Sequence, residues 1–358
     1  MLKKAVKKLQ PYIPEEPLSV LEKKVGVANI VRLSANENPF GTSPKVKEAV
    51  VNWQFNDARY YPDGDARDLR QAVADYLQVQ PEQLLFGCGL DEIIELISRS
   101  FLEVNDEVLE PWPTFSEYKL HAEIEGATVV DVPILTNGKF DLEALAKGIT
   151  AKTKLIWLCN PNNPTGTYLS VVALRQFLQQ VPPNVLVLID EAYIDFVTSA
   201  KQPSALPLLK EFSNLLLLRT FSKVYGLANF RVGYAVVPPI LIASMQAVRL
   251  PYNLNSLSQL AAQAALADQA FIQQTVVRVE QARQSWTEFL KQQGLKFYPS
   301  QTNFIFFAAP NALKLKDYLL QHGFLVRGGL RPDWLRVTFG TVAQNKQLQH
   351  LISTFYAS

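Results

Sequence analysis

In RTFSKVYGLANFRVGY, residues 219–234, a lysine follows an apolar run: Lys223, flanked by Thr220 and Ser222, with Arg231 eight residues on. Hydroxyls at a strand end can donate to a phosphate, and a guanidinium can clamp one through two parallel N–H bonds. A lysine amine in that company loses its proton when desolvation and neighbouring cations disfavour the charge. It is then a nucleophile able to form a Schiff base. The bland alternative is an exposed lysine near a helix start.

Three other stretches carry comparable residues. VLVLIDEAYIDF, 185–196, ends an apolar run on Asp190 and Glu191, with Tyr193 just beyond. A carboxylate there needs a partner, because burying an unpaired charge is expensive. A cationic ring nitrogen for Asp190 and a ring oxygen for Tyr193 would serve, and so would a solvated strand end. LCNPNNPTGTY, 158–168, places asparagine amides in a turn after an apolar run, at the strand edge where open α/β sheets bind ligands. GCGLDE, 87–92, has two glycines before a helical pattern. Such glycines let backbone amides at a helix start approach a phosphate, although they also suit a plain tight turn. A dinucleotide fingerprint needs a third glycine where this chain has Glu92, which disfavours NAD. Taken together, a nucleophilic lysine, a carboxylate for a pyridinium, a tyrosine and phosphate donors match the needs of pyridoxal 5'-phosphate.

These residues need strands that end at one edge. From about Tyr61, short β-branched or leucine-rich runs alternate with helical patterns. The runs are LLFG, DEVLEP, TVVDVP, TKLIWLC, VLVLID, NLLLLR and VGYAVV. Continuous rather than alternating apolar runs predict strands covered on both faces, hence an α/β fold with a mainly parallel sheet. After about Leu250 the texture changes. One long helical stretch is expected from Ser256 to Gly294, then strands in KFYPS, NFIFFA, GFLVR and WLRVTFG. The expected organisation is an N-terminal arm over residues 1–35, which packs with the small domain or a partner subunit. A large α/β domain over 36–250 and a smaller α+β domain over 251–358 follow it.

Composition excludes several classes. The 358 residues are 48% hydrophobic and 19% charged, with a net charge of +2. A disordered chain or a nucleic-acid binder would differ on one count or the other. Cys88 and Cys159 are expected as buried, reduced side chains. His121, His322 and His350 lack metal-ligand spacing, so no metal site is expected. MLKKAVKKLQPY, with Leu2, Val6 and Leu9 opposite its lysines, predicts a short amphipathic helix ended by Pro11 rather than a signal peptide. A cytoplasmic protein is expected.

In order along the chain, PYIPEEP, LSANENPFG, RYYPDG, GCGLDE, NPNNPTG, DEAYIDF, TFSKVYGLANFRVGY and WLRVTFGT resemble the fold-type I pyridoxal-phosphate enzymes. More narrowly, they resemble the histidinol-phosphate aminotransferase family, and the resemblance spans nearly the whole chain. It implies a large cofactor-binding domain and a small C-terminal one. It implies that Lys223 carries the cofactor, Asp190 pairs with the ring nitrogen, and Asn163 and Tyr193 bind the ring oxygen. Gly89, Leu90, Asp91, Ser222 and Arg231 would surround the phosphate and Phe115 would stack on the ring. Tyr61 would reach the cofactor of a second subunit, which implies a homodimer. Arg336 and Arg327, with Tyr12 and Asn36, would form the substrate pocket. The substrates implied are histidinol phosphate with 2-oxoglutarate, and imidazole-acetol phosphate with glutamate. The chain departs from the family pattern at Leu90, Phe115 and Asn229, in PEEP, and in a short segment between Arg327 and Arg336. An aromatic amino acid aminotransferase and a threonine-phosphate decarboxylase share the scaffold and remain alternatives. So does a non-catalytic cofactor-binding protein.

Overall fold

The computed structural model describes residues 5–9 and 15–357. Its strands are β1 (Val31–Arg32), β2 (Leu84–Cys88), β3 (Glu107–Trp112), β4 (Thr128–Pro133), β5 (Thr153–Cys159), β6 (Leu186–Asp190), β7 (Leu215–Thr220), β8 (Val232–Val236), β9 (Phe304–Ala308), β10 (Phe324–Leu325) and β11 (Trp334–Thr338). Seven of them form the main sheet in the order β2-β8-β7-β6-β5-β3-β4. All its pairings are parallel except those of β8, which runs antiparallel to both neighbours.

The continuous apolar runs have the cause expected of them. Leu155, Trp157, Leu188, Leu216 and Leu218 face one core, whereas Ile156, Leu158, Val187, Ile189, Leu215 and Leu217 face a second. Each central strand therefore feeds two cores with alternate side chains. The edge strand β4 is covered less well, with only Val132 buried. Helices flank the sheet, among them Gly89–Phe101, which buries Ile93, Ile94 and Ile97.

Three expectations need correction. The stretch from Ser256 towards Gly294 is two helices, Ser256–Leu266 and Gln269–Gln292, because the Asp268 side chain accepts from Phe271 N and caps a new start. The first packs on the helices Pro44–Val51 and Arg67–Leu77 and on β8, while the second packs on β9 and the helix Val342–Ala357. KFYPS forms no strand and contributes only an isolated bridge, Phe297 to Phe307. Cys88, the last residue of β2, is exposed, whereas Cys159 is buried. The N-terminal helix is represented among the described residues by one 3₁₀ turn, Val6–Lys8, and the rest of that expectation lies outside them. No helix among the described residues is long and apolar enough to cross a membrane.

The C-terminal part holds two small sheets. β9 pairs antiparallel with β11, and β1 pairs parallel with β10. The segment from Val31 to Thr42 then runs from this part onto the loop that follows β7. Leu33 N donates to Leu325 O and Thr338 N to Leu33 O, both at 2.8 Å. Asn38 Nδ2 donates to Val224 O at 2.8 Å, and Thr42 Oγ1 to Tyr225 O at 3.0 Å. The approach needs Gly226, whose φ is +71° and where an added Cβ would lie 2.0 Å from Gly41 O. Gly226→Ala should therefore destabilise the protein by about 2–4 kcal/mol. At Gly294 φ is also positive but nothing lies within 4 Å, so alanine there should cost only about 1 kcal/mol. Thermal unfolding of the two variants checks the difference.

Candidate active site

β2, β3, β5, β6 and β7 point the same way and end around one cavity of about 460 Å³. From β7 come Thr220, Ser222 and Lys223. Ser222 N donates to Thr220 Oγ1 at 3.0 Å, and Gly226 N closes the turn on Lys223 O at 3.0 Å. Lys223 Nζ lies 3.4 Å from Ala35 O and 5.7 Å from the centre of the Tyr193 ring. Burial first, then the charges of Arg336 and Arg231, push its ammonium down to about 8. The ammonium therefore gives up its proton more readily than an ordinary lysine, which favours nucleophilic attack.

One end of the cavity is an anion cup. The helix Gly89–Phe101 starts there, and the first amides of a helix have no intrahelical acceptor. Arg231, in left-handed backbone at φ +53°, aims its guanidinium at that start. It contacts Asp91 Oδ2 at 3.1 Å, Ser222 Oγ at 3.4 Å and Ala228 O at 3.2 Å. Gly89 N donates to Arg231 O at 3.0 Å. A Cβ on Gly89 would lie 2.2 Å from Arg231 Nη2, so glycine is required for this approach. Leu90 lines the same wall and offers no side-chain donor.

Asp190, at the end of β6, is 3% exposed. Burial pushes its carboxyl up to about 6, against two donors that hold it down. These are Tyr118 OH at 2.6 Å and Ala192 N at 2.9 Å. Tyr118 is fully buried and stacks on Trp157, with ring centres 4.4 Å apart and planes 5° apart. Phe115 meets Tyr118 edge-on and lines the cavity. Tyr193 OH accepts from Asn36 Nδ2 at 2.9 Å, which leaves its own proton to donate. Burial holds that phenol above its usual range.

The far end carries two arginines. Arg336 on β11 is buried, and it donates to Asn163 Oδ1 and to Ser34 O. Arg327 lies directly across from it in an antiparallel bridge, with backbone N–O distances of 3.1 and 2.8 Å. The structure therefore gathers Asn36, Leu90, Asp91, Phe115, Asn163, Asp190, Tyr193, Ser222, Lys223, Arg231, Arg327 and Arg336 around one cavity, with Gly89 behind it. It does not bring Tyr61 there. That ring is 82% exposed and stacked on Tyr252 at 4.8 Å. Tyr12 lies outside the described residues. Sequence reasoning missed Tyr118, whose only signal is its place three residues after Phe115. It also missed Glu15, Ser34 and Thr114, which line the cavity although Glu15 and Ser34 lie within PYIPEEP and LSANENPFG.

Residues 28–355 match the family model of the class I and II aminotransferases. The chain belongs to that family. Its similarity to curated aminotransferases is high. The histidinol-phosphate aminotransferase of Lactiplantibacillus plantarum is 53% identical over 99% of this chain and 100% of that one. The one from Limosilactobacillus fermentum is 48% identical over 98% of each. Among solved structures, the histidinol-phosphate aminotransferase of Sinorhizobium meliloti in complex with pyridoxal-5'-phosphate aligns with a TM-score of 0.89. It shares 27% identity over 99% of this chain and 98% of that one.

Aminotransferases of this family use pyridoxal 5'-phosphate, and the cavity suits it. The cup at Gly89 has the donors a phosphate needs. The buried Asp190 carboxylate has oxygens held by Tyr118 and Ala192 and borders open space where a cation would relieve its burial. Tyr118 should set the acid limit of this partnership. Tyr118→Phe removes a donor that favours the charged carboxylate, so the Asp190 pKa rises. Because the carboxylate is lost as pH falls through that pKa, cofactor affinity should begin to fail at a pH higher by about one unit. Cofactor titrations of the apoenzyme between pH 5 and 8 check the shift.

Proposed function

We propose that this aminotransferase moves the amino group of histidinol phosphate to 2-oxoglutarate, giving imidazole-acetol phosphate and glutamate, in histidine biosynthesis. The observation that carries the reading is the pair Arg327 and Arg336, cross-strand neighbours at the open end of the cavity. Histidinol phosphate has a phosphate ester where glutamate has its α-carboxylate. One arginine pair must accept both anions in turn, and the planar guanidinium fork fits either. The names of the two relatives above support the same substrate.

In this mechanism Lys223 holds pyridoxal 5'-phosphate covalently through Nζ. Ser222, Arg231 and the amides at Leu90 and Asp91 would bind its phosphate, with Gly89 allowing the close approach, and Phe115 would cover its ring. Asp190 keeps the ring nitrogen protonated, while Tyr193 and Asn163 donate to the ring oxygen. When bound, the cofactor supplies an electrophilic carbonyl and a ring that accepts the electrons of the broken C–H bond. Lys223 Nζ, once released, takes the proton from the amine-bearing carbon and hands it on, as base and then acid. Arg336 and Arg327 fix the substrate so that this proton faces Nζ, and Asn163, shared with Arg336, links the two ends of the site.

The deciding experiment is an absorbance spectrum of the holoenzyme. The cofactor band should bleach with histidinol phosphate and return with 2-oxoglutarate. A band that responds only to phenylalanine, or release of CO2 from threonine phosphate, would move the substrate to one of the alternatives. Lys223→Ala should keep cofactor affinity measurable but lower turnover by at least about a thousandfold.

The working unit we propose is a homodimer in which Tyr61 completes the partner's phosphate site. Its exposure on this chain, with Tyr60 and Phe55 nearby and also exposed, supports a covering surface. Light scattering should give twice the chain mass, and a stable, active monomer would contradict the role of Tyr61.

A further inference from the structure

Among the described residues, four carboxylates line the cavity: Glu15, Glu37, Asp91 and Asp190. Three are committed. Glu37 takes both Arg32 donors, Asp91 takes Arg231, and Asp190 takes Tyr118 and Ala192. Glu15 differs. Its Oε2 accepts from Ser34 Oγ at 2.7 Å, which fixes the carboxylate in the wall. Its Oε1 has Arg327 Nη1 at 3.8 Å, beyond hydrogen-bond reach.

Arg327 and Arg336 sit side by side with like charge. An anion that binds them takes up the Arg327 donors and leaves Glu15 Oε1 beside it as a strong acceptor without a close donor. That carboxylate is part-buried and open to water, but an N–H held beside it by the bound anion makes a charge-assisted bond, stronger than a neutral one. A substrate that carries both an anion and, a few bonds away, an N–H group satisfies the arginines and the carboxylate together. A second carboxylate or a plain phenyl ring in the same place would not.

We infer that Glu15 determines specificity for the imidazole end of the substrate, accepting the ring N–H through Oε1. This rests on histidinol phosphate as substrate. It is a consequence of this chain's own PEEP sequence, the departure noted above, and it gives the segment before the helix Leu18–Val25 a recognition role.

The test compares three reactants on the holoenzyme: histidinol phosphate, its phenyl analogue phenylalaninol phosphate, and 2-oxoglutarate. Wild type should favour the imidazole compound. Glu15→Ala should raise KM for histidinol phosphate about tenfold and leave kcat near its wild-type value. KM for phenylalaninol phosphate should stay unchanged, and KM for 2-oxoglutarate, whose second carboxylate Glu15 repels, should not rise. Glu15→Gln, which keeps an oxygen but no charge, should fall between. Equal KM increases for all three would show that Glu15 only docks the arm. A fall in all three would show that it only competes for Arg327. No change would show no contact, and each of these results overturns the inference alone. A wild-type enzyme that does not react with histidinol phosphate overturns the substrate reading and the inference with it.

Discussion

A primary amine can attack a carbonyl only without its proton, and in water at neutral pH a lysine holds that proton tightly. The site is organised around this conflict. It withdraws the Lys223 amine from water and sets the charges of two guanidiniums, Arg336 and Arg231, near it. In the function proposed above those arginines bind anions, so the groups that make the lysine reactive would also hold its partners. The cost is a cavity crowded with positive charge, and this explains the carboxylates around it. Asp91 meets Arg231, Glu37 meets Arg32, and Glu15 stands near Arg327.

The sheet makes that arrangement possible. Parallel strands deliver their C-terminal ends to a single edge, and each following loop contributes one kind of group. β6 brings the carboxylate, β7 the lysine and hydroxyls, β5 the asparagine loop, β3 the aromatic cover, and β2 the helix start. β8 is the exception in direction. It enters the sheet from the opposite end, so Arg231, directly before it, lies at the functional edge although its strand leads away. The substrate arginines come from the other part of the chain, on and opposite β11.

Much of this was legible in residue order. A strand buried on both faces must be largely apolar, so TKLIWLC, VLVLID and NLLLLR announce themselves, whereas DEVLEP buries Glu110 among its apolar neighbours. Polar residues directly after such runs stand out because they have no place in the core. That is how Asp190, Lys223 and Asn163 were singled out, and the structure does bring them to one cavity. What escaped depends on tertiary approach. Tyr118 is an ordinary aromatic on a helix until β6 places Asp190 within 2.6 Å of its hydroxyl. Glu15 lies in a stretch with no periodicity at all. The break before Gln269 was hidden because apolar spacing continues across it, and only the capping role of Asp268 ends one helix and begins the next. Cys88 follows an apolar run, but sequence does not say that the strand's last side chain meets solvent.

The segment from Val31 to Thr42 ties β10 and β11 at one end and the lysine loop at the other. It touches Arg336 through Ser34 and Tyr193 through Asn36 on the way. It therefore behaves as a gauge between the part of the molecule that carries Arg327 and Arg336 and the part that carries Lys223. One residue of extended chain is about 3.5 Å long, more than a hydrogen bond. Evolution can exchange side chains along this gauge, but gaining or losing a single residue would set the two parts to the wrong spacing.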